Sequence, residues 1–326
     1  MTLPYLPRLL CLSLAAFFLV HLVLDALVFL IARPAVRLAQ SLPPRAAARC
    51  LLILRLLPTL CAAFIVLAIC LPSYLWLEPA DPAERVGFEC MAVAGLCIAM
   101  CGIAMARGLR AATGSKRFLR RCRHIGRPAH LPGERAETWL IEGSAPLMAI
   151  GGIVHPRLVV SRAVVNALSA EQLAAALRHE RAHWASRDNL KHLCILLTPA
   201  ILPFAGSSRT LEREWKKFTE WAADDRAVAG SARRSFALAG ALVRVARLTA
   251  DAPQSPLAFL LLADTDQLAA RVDRLLHPAP AIRRPPRMRP ILTLSAILLT
   301  AGALAAAILQ PAAFYSVHLA LEHLVG

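Results

Sequence analysis

His179 and His183 enclose a glutamate, Glu180, in the five-residue pattern His-Glu-x-x-His. Residues four apart on an α-helix lie on the same face, so the two imidazoles can bind a single metal ion. Two histidines at this spacing suit Zn2+, and the carboxylate of Glu180 then lies where it can act as a general base toward a water molecule at the metal. The pattern is short enough to occur by chance, so the predicted zinc site needs support from elsewhere in the chain.

A third protein ligand is required, because catalytic zinc sites use three ligands and leave one position for water. Glu220 is the candidate ligand, and Asp224 shares its face if the segment is helical. We predict that Glu220 binds the metal and that Asp224 accepts a hydrogen bond from a ligating histidine. The alternative is that both belong, with Asp225, to a solvent-exposed acidic face, but the upstream histidine motif favours the metal site.

Both motifs lie in segments that carry strong helix signals. Ser169 and Gln172 predict a capping box at the start of the first helix, and neither proline nor glycine interrupts the segment that holds the histidines. The second helix is expected at about residues 209–229, because Gly230 ends it.

A small β-structure is expected ahead of the first helix. Residues 137–141 and 147–154 alternate between apolar and polar positions or run apolar, as strands do. Zinc peptidases commonly hold the substrate backbone on an edge strand beside the metal, and residues 149–154 are the candidate for that strand. Residues 107–132 are expected to form a basic linker that leads to these strands.

Composition indicates a membrane protein. Of the 326 residues, 57% are apolar, and the formal net charge is +16. A helix needs about 20 apolar residues to cross a bilayer. Four segments reach that length, at approximately residues 9–32, 51–71, 86–106 and 291–309.

The distribution of basic residues predicts the orientation of these spans. Arginines without an acid fill the connection between the first two spans, and basic clusters follow the third span and precede the fourth. The connection between the second and third spans instead carries Glu78, Asp81 and Glu84 with one arginine. The positive-inside rule therefore predicts a multi-pass membrane protein with both termini outside and residues 107–289 in the cytoplasm.

Ionisable residues also lie within the predicted spans. His21 and Asp25, in the first span, either serve a function or form a hydrogen bond that joins two helices. Arg55, near the cytoplasmic end of the second span, is expected to extend its side chain to the interface.

The basic excess does not indicate nucleic-acid binding. Much of it lies near the predicted membrane surface, where topology and anionic lipids explain it, and no aromatic residues interleave with the basic ones. We therefore expect no direct nucleic-acid binding. Cysteine does not compete for the metal either, because seven of the nine cysteines lie in or beside the spans.

The order of these features resembles the BlaR/MecR-type integral membrane zinc metallopeptidases. Three spans precede the motif HERAH at residues 179–183, and EWAAD at residues 220–224 precedes a last span. Other similar stretches are PRLVVS at residues 156–161, LSAEQL at residues 168–173 and RVDRLL at residues 271–276. The resemblance covers essentially the whole chain, although only the two metal-site motifs are highly specific.

The resemblance implies a fold class, a mainly α polytopic membrane protein with four transmembrane helices. Three of these helices would lie in residues 1–106 and the fourth, with a short outer tail, in residues 290–326. A cytoplasmic α+β metallopeptidase domain, zincin-like and of the gluzincin type, would occupy residues 107–289 between the third and fourth spans.

The resemblance also implies an activity, the cleavage of a cytoplasmic DNA-binding repressor, and often of the protease itself, after a signal from outside. Carried over by position, His179, His183 and Glu220 would bind one Zn2+ per chain. Glu180 would be the general base, and Asp224 would orient a ligating histidine. The implied location is the bacterial inner (plasma) membrane, and the implied partners are the lipid bilayer and a cytoplasmic protein substrate. A separate sensor protein is a further candidate partner.

The end of the chain departs from the antibiotic sensors of that family. Those proteins carry a large penicillin-binding domain after the last span, whereas residues 310–326 are far too few for one. We therefore expect no direct acylation by β-lactams. A signal would instead be sensed through the spans, through the outer loop near residues 77–85 or through a partner protein.

The group that stabilises the tetrahedral intermediate is not evident from the motifs. Zinc peptidases usually place a Tyr, His or Arg there, but Tyr5, Tyr74 and Tyr315 all lie outside the predicted cytoplasmic domain. His192 and Arg226 are the remaining candidates.

Two other functions fit the motifs. Membrane quality-control proteases of the CAAX-processing and HtpX-like class share the HExxH and ExxxD arrangement, but hydrophobic spans interrupt their catalytic part differently. A non-catalytic signalling scaffold with a structural zinc site is the second alternative. Glu180 argues against the scaffold, because a structural site does not need that carboxylate.

Overall fold

The computed structural model describes residues 5–77, 87–129, 131, 138–143, 145–200, 206–251 and 265–277. This part of the chain contains ten α-helices and one four-stranded sheet. The predicted fourth span at residues 291–309 lies outside the described residues.

Three long apolar helices dominate the amino-terminal part of the chain. They are α1 (Tyr5–Gln40), α2 (Pro44–Ile65) and α4 (Phe88–Ile125). A π-helical turn (Val66–Cys70) and the short helix α3 (Leu71–Leu77) lie between α2 and α4. Each of α1, α2 and α4 is long and apolar enough to cross a membrane, with α2 and its continuation counted as Pro44–Ser73. The first three predicted spans are thus confirmed as candidate membrane-spanning helices, and they indicate a membrane protein.

α4 extends well past the predicted end of the third span. It runs without interruption to Ile125, so the prediction of a basic linker is wrong for residues 107–125. Arginine, leucine, alanine and lysine make up most of this stretch, and all four are strong helix formers. Gly108 lies where α4 passes α7 (Asp188–Leu197), and a side-chain carbon there would lie 2.3 Å from the Leu197 side chain, which would have to move.

Four short strands follow α4. They are β1 (Gly126–Ala129), β2 (Thr138–Ile141), β3 (Met148–Gly151) and β4 (Arg157–Ser161). The order in the sheet is β1-β2-β4-β3, with β2 parallel to β4 and the other pairs antiparallel. β3 is therefore an edge strand, as predicted for this segment, and Gly152 ends it with a φ of 96°.

The remaining helices complete the domain. Besides α7, they are α5 (Arg162–Ala167), α6 (Ala170–Ser186), α8 (Ser207–Val228), α9 (Ala232–Asp251) and α10 (Thr265–Leu276). The sheet lies between two layers of helices, because Leu158 and Val160 pack against α6 and α9 while Val159 packs against α4.

α8 packs on the hairpin that α1 and α2 form. Leu51 of α2, Ile195 of α7 and Phe218 of α8 belong to one core cluster, and each is at most 1% exposed. The membrane hairpin therefore covers much of the apolar face of α8, so that the hairpin and the rest of the domain share a core.

Polar side chains also connect the hairpin to its surroundings. Arg55 is 4% exposed and donates from Nη2 to the carbonyl of Thr198 at 3.2 Å, so its side chain binds the end of α7 and does not reach solvent. This carbonyl can accept the bond because it lies at the end of α7, where carbonyls lack intrahelical donors. His21 Nε2 lies 2.9 Å from Thr59 Oγ1, which is a hydrogen bond between α1 and α2.

Candidate metal centre

The local sequence fixes the start of α6. Ser169 Oγ accepts a hydrogen bond from the Gln172 N–H, and the Gln172 side chain accepts one from the Ser169 N–H, so the predicted capping box is confirmed. The helix then runs unbroken to Ser186 and places His179 and His183 one turn apart on the face toward α8.

His179, His183 and Glu220 converge at one point. The two Nε2 atoms are 3.1 Å apart, and the Glu220 carboxylate lies 3.4 Å from His179 Nε2 and 3.5 Å from His183 Nε2. A tetrahedral zinc ion with bonds of about 2.05 Å separates its ligand atoms by about 3.3 Å. The donor atoms and their spacing therefore fit Zn2+, and the structure brings together the three ligands predicted from the sequence.

Each histidine has an acid at its other ring nitrogen. Asp224 Oδ1 lies 2.9 Å from His179 Nδ1, and His183 Nδ1 donates to Asp188 Oδ2 at 2.9 Å. A carboxylate at Nδ1 favours the tautomer that leaves the Nε2 lone pair for a metal. Asp224 thus lies where the sequence places it, whereas the contact of Asp188 with His183 is not predicted by the sequence, although Asp188 follows the HERAH motif closely.

The position of Asp188 depends on a turn between two helices. Arg187 ends α6 with a φ of 53°, in the left-handed region that residues other than glycine seldom adopt, and α7 begins at the next residue. The change of direction brings Asp188 against His183, and Lys191 pairs with the other oxygen of Asp188 at 2.9 Å. No helical periodicity signals this contact, because Asp188 lies five residues from His183.

Arg271 is the second site residue that the sequence pattern does not reveal. Its guanidinium binds both oxygens of Asp224, at 2.8 and 2.9 Å, and reaches Glu220 at 2.9 Å. It therefore fixes the two acids of α8 relative to each other. The same group lies 3.4 Å from His179 Nε2, a contact that metal binding would replace. The one sequence signal is its place in the stretch RVDRLL at residues 271–276.

The charges around the site favour a cation at its centre. Burial acts to lower the pKa of His183, but hydrogen bonds to Asp188 and Glu220 outweigh it and raise that pKa to about 10. Burial acts to raise the pKa of Glu220, yet hydrogen bonds from His179 and His183 hold that pKa well below its ordinary value. Glu220 is therefore charged at neutral pH, and a divalent cation can take the place of the imidazole protons.

Glu180 lies in the same cleft as the ligands. The cleft has a volume of about 810 Å³, and its lining includes the three ligands, Glu180, Met148 of β3 and His192 of α7. Burial raises the pKa of the Glu180 carboxyl above its ordinary value. A carboxylate with a raised pKa can hold a proton between two steps of a reaction.

The two candidates for stabilising the tetrahedral intermediate are placed differently. His192 lines the cleft, and its Nε2 lies 3.3 Å from a Glu212 oxygen. Arg226 donates to the carbonyl of Ala182 and to the hydroxyl of Ser186, both at 3.1 Å, and lines another pocket. Of the two residues, His192 is the one that faces the cleft.

The metal centre lies within a segment that matches a known family. Residues 116–275, just under half of the chain, match the family model of Peptidase family M48, and the segment includes all the metal-centre residues described above. The match supports assignment to the M48 metallopeptidases, which are metal-dependent enzymes that hydrolyse peptide bonds. With the three apolar helices, it supports a membrane-associated metallopeptidase. None of the curated proteins compared with the chain matches it.

Proposed function

We propose that the chain is a membrane-embedded zinc endopeptidase that cleaves a protein substrate on the cytoplasmic side of the bacterial inner membrane. The observation that carries the proposal is the convergence of His179, His183 and Glu220 in a cleft that also holds Glu180. Three protein ligands leave one metal position for the reacting water, as catalytic zinc sites require. A non-catalytic scaffold would need neither that open position nor Glu180.

The residues of the site have separate tasks in the proposed reaction. When bound, zinc would polarise the substrate carbonyl and lower the pKa of a water molecule toward about 7. Glu180 would accept the proton of that water as it attacks the carbonyl, and would return it to the leaving amine. Asp224 and Asp188 hold the two imidazoles through Nδ1 during both steps, and Arg271 keeps the Glu220 carboxylate in place.

The substrate backbone would bind along the free edge of β3. The Leu147 carbonyl is bonded to β4, so by alternation the backbone groups of Met148 and Ile150 point to the free edge. Asn189 already donates to the Ile150 carbonyl at 3.1 Å. Met148, which also lines the cleft, is therefore the residue best placed to pair with an extended substrate.

His192→Phe tests the assignment of His192 to the developing oxyanion. We expect kcat to fall by about 10²–10³-fold with little change in KM or zinc content, because the ring shape is kept and one donor is lost. Arg226→Gln is the comparison, and in detergent without anionic lipid it should leave kcat nearly unchanged because Arg226 lies outside the cleft lining. The opposite pattern in the two steady-state measurements would move the role to Arg226.

Zinc removal tests the proposed function itself. The chain purified in detergent should cleave a labelled unfolded protein, or itself, and a chelator should stop cleavage until zinc is restored.

Glu220→Ala should weaken zinc binding by more than about 100-fold, since losing even an outer partner of a ligand costs 10–100-fold. Metal analysis and electrophoresis of fragments give both results. Unchanged zinc in Glu220→Ala would reject this third ligand, and bound zinc without any cleavage would favour the structural scaffold.

The substrate separates two versions of the proposal. In the signalling version, the chain cleaves a DNA-binding repressor or itself, and the signal arrives through the spans or from a sensor protein. In the quality-control version, the substrates are misassembled membrane proteins, and the packing of α8 on the α1–α2 hairpin would place the metal centre close to them. Cells that produce only Glu180→Gln distinguish the two. Accumulation of one DNA-binding protein supports signalling, and a broad accumulation of membrane proteins supports quality control.

A further inference from the structure

A second pocket lies where the α1–α2 hairpin meets the corner between α6 and α7. It has a volume of about 250 Å³. Its lining carries four cationic side chains and one acid, namely Arg45 and Arg49 of α2, Lys191 of α7, Arg226 of α8, and Asp188. The proposed catalytic mechanism uses none of the four cations.

The pocket has a net positive charge, because its one acid cannot neutralise its four cations. Asp188 is already paired with Lys191 at 2.9 Å and with a metal-ligating histidine. One nitrogen of Arg226 donates to the end of α6, which leaves the other N–H groups of its guanidinium for a ligand. Arg45 and Arg49 have no ion-pair partner among the residues that the structure describes.

In a bilayer that α2 crosses, the pocket would lie at the depth of the lipid headgroups. α2 and the π-helical turn that continues it expose an apolar stripe in which each side chain is at least 40% exposed, formed by Ile53, Leu57, Leu60, Phe64 and Leu67. In a helix that crosses a bilayer, such a stripe faces lipid. Arg49 precedes the first residue of the stripe by about 6 Å along the helix axis, and a headgroup layer is about 5–8 Å thick.

We propose that this pocket binds the phosphate of an anionic phospholipid headgroup. Basic pockets between membrane helices bind such headgroups, because guanidinium and ammonium groups form charge-assisted hydrogen bonds with phosphate oxygens. Orientation by the positive-inside rule would account for Arg45 and Arg49 alone. It does not account for Lys191 and Arg226, which come from the peptidase domain and line the same cavity.

Lys191 connects the pocket to the metal centre. Its ammonium group binds one oxygen of Asp188, whose other oxygen accepts a hydrogen bond from His183. A phosphate bound beside Lys191 would fix the position of the Lys191 ammonium group. Lys191 would in turn keep Asp188 in place, and Asp188 would keep the His183 ring oriented. The expectation that cleavage depends on anionic lipid rests on the proposed peptidase function. The expectation that the pocket binds lipid does not rest on it.

Lipid binding is tested with the full chain in a neutral detergent. Short-chain phosphatidylglycerol, short-chain phosphatidylcholine and inorganic phosphate are titrated separately while the unfolding temperature is recorded. We expect saturable stabilisation by phosphatidylglycerol alone. The double variant R45Q/R49Q should bind phosphatidylglycerol about 25-fold more weakly, from a loss of about fivefold for each arginine.

Arg37→Gln is the matched control. Arg37 lies in the same hairpin, is exposed and is not part of the pocket lining, so this variant should bind phosphatidylglycerol as the wild type does. An equal loss in Arg37→Gln, or an equal response to phosphatidylcholine, would overturn the proposal. Saturation by inorganic phosphate at the same concentration would show a site for a free anion, and this result would also overturn the lipid assignment.

Two further checks keep the result interpretable. Zinc content and elution volume show whether R45Q/R49Q is folded, and the single variant R49Q replaces it if either value differs from the wild type. No peptide cleavage enters the measurement. A failure to bind lipid would therefore reject the headgroup site and leave the proposed peptidase activity standing.

Discussion

Replacing Glu180 with glutamine is expected to lower the rate of peptide hydrolysis by about 10²–10⁴-fold, the usual contribution of a general base. Glutamine has nearly the same shape but cannot accept the proton of the attacking water. Zinc binding should not change, because the ligand atoms come from His179, His183 and Glu220. The cleavage rate and the zinc content are measured on the same preparation.

Glu171→Gln is the matched control for this substitution. Glu171 lies on the same helix, is exposed and pairs with Arg233. The control removes one carboxylate of α6 without touching the metal centre, so the rate should stay within about twofold of the wild type. Full activity of Glu180→Gln would reject the general-base role. Loss of zinc in that variant would show instead that Glu180 supports the arrangement of the ligands.

Local patterns were enough to predict the parts of the site that lie on single helices. The capping box at Ser169 fixes where α6 begins, so the shared face of His179 and His183 follows from helix geometry. Glu220 and Asp224 share a face of α8 for the same reason, because they lie four residues apart on one helix. The approach of the two helices to each other needed the tertiary structure, because spacing along one helix does not specify its neighbour.

The contacts of Asp188 and Arg271 could not be predicted in this way. Asp188 reaches the metal centre only because Arg187 adopts a left-handed conformation, which no preceding residue signals. Arg271 meets Asp224 from 47 residues away in the sequence. A general physical signal did exist, since a buried carboxylate such as that of Asp224 requires charged or hydrogen-bonding partners, but it does not say where they lie.

In the membrane segments too, local sequence predicts the helices but not the contacts between them and the rest of the chain. Length and apolar composition suffice to predict a spanning helix, and the first three spans were predicted from them. The position of the Arg55 side chain depends on what packs beside α2, because the end of α7 supplies its hydrogen-bond acceptor, the carbonyl of Thr198. The basic residues that follow the third span were compatible with either a linker or a helix, and their high helix propensity was the better guide.

The helix that carries Glu220 depends on a part of the chain outside the family match. The match begins at residue 116, yet α8 packs against the α1–α2 hairpin. Leu51 of α2 and Phe218 of α8 are 0% and 1% exposed in the same cluster. A displacement of the hairpin in the membrane would therefore act on the metal centre through one packed layer, and this dependence can be measured.

Leu51→Ala is expected to lower the free energy of unfolding by about 2–5 kcal/mol, the usual cost of truncating a buried leucine. Ile53→Ala is the matched control, because Ile53 lies on the same helix but is 62% exposed. Its effect should be about 0.5 kcal/mol or less. Reversible denaturation in mixed micelles, followed by tryptophan fluorescence, gives both values.

Phe218→Ala completes a double-mutant cycle between the two helices. If α2 and α8 share one core, Leu51→Ala and Phe218→Ala should be non-additive by about 0.5–3 kcal/mol, whereas Ile53→Ala and Phe218→Ala should add. Zinc affinity should fall in Leu51→Ala but not in Ile53→Ala, because Glu220 lies on the helix that loses its packing. Additive effects with unchanged zinc affinity would contradict this coupling, and would mean that the metal centre keeps its geometry independently of the membrane hairpin.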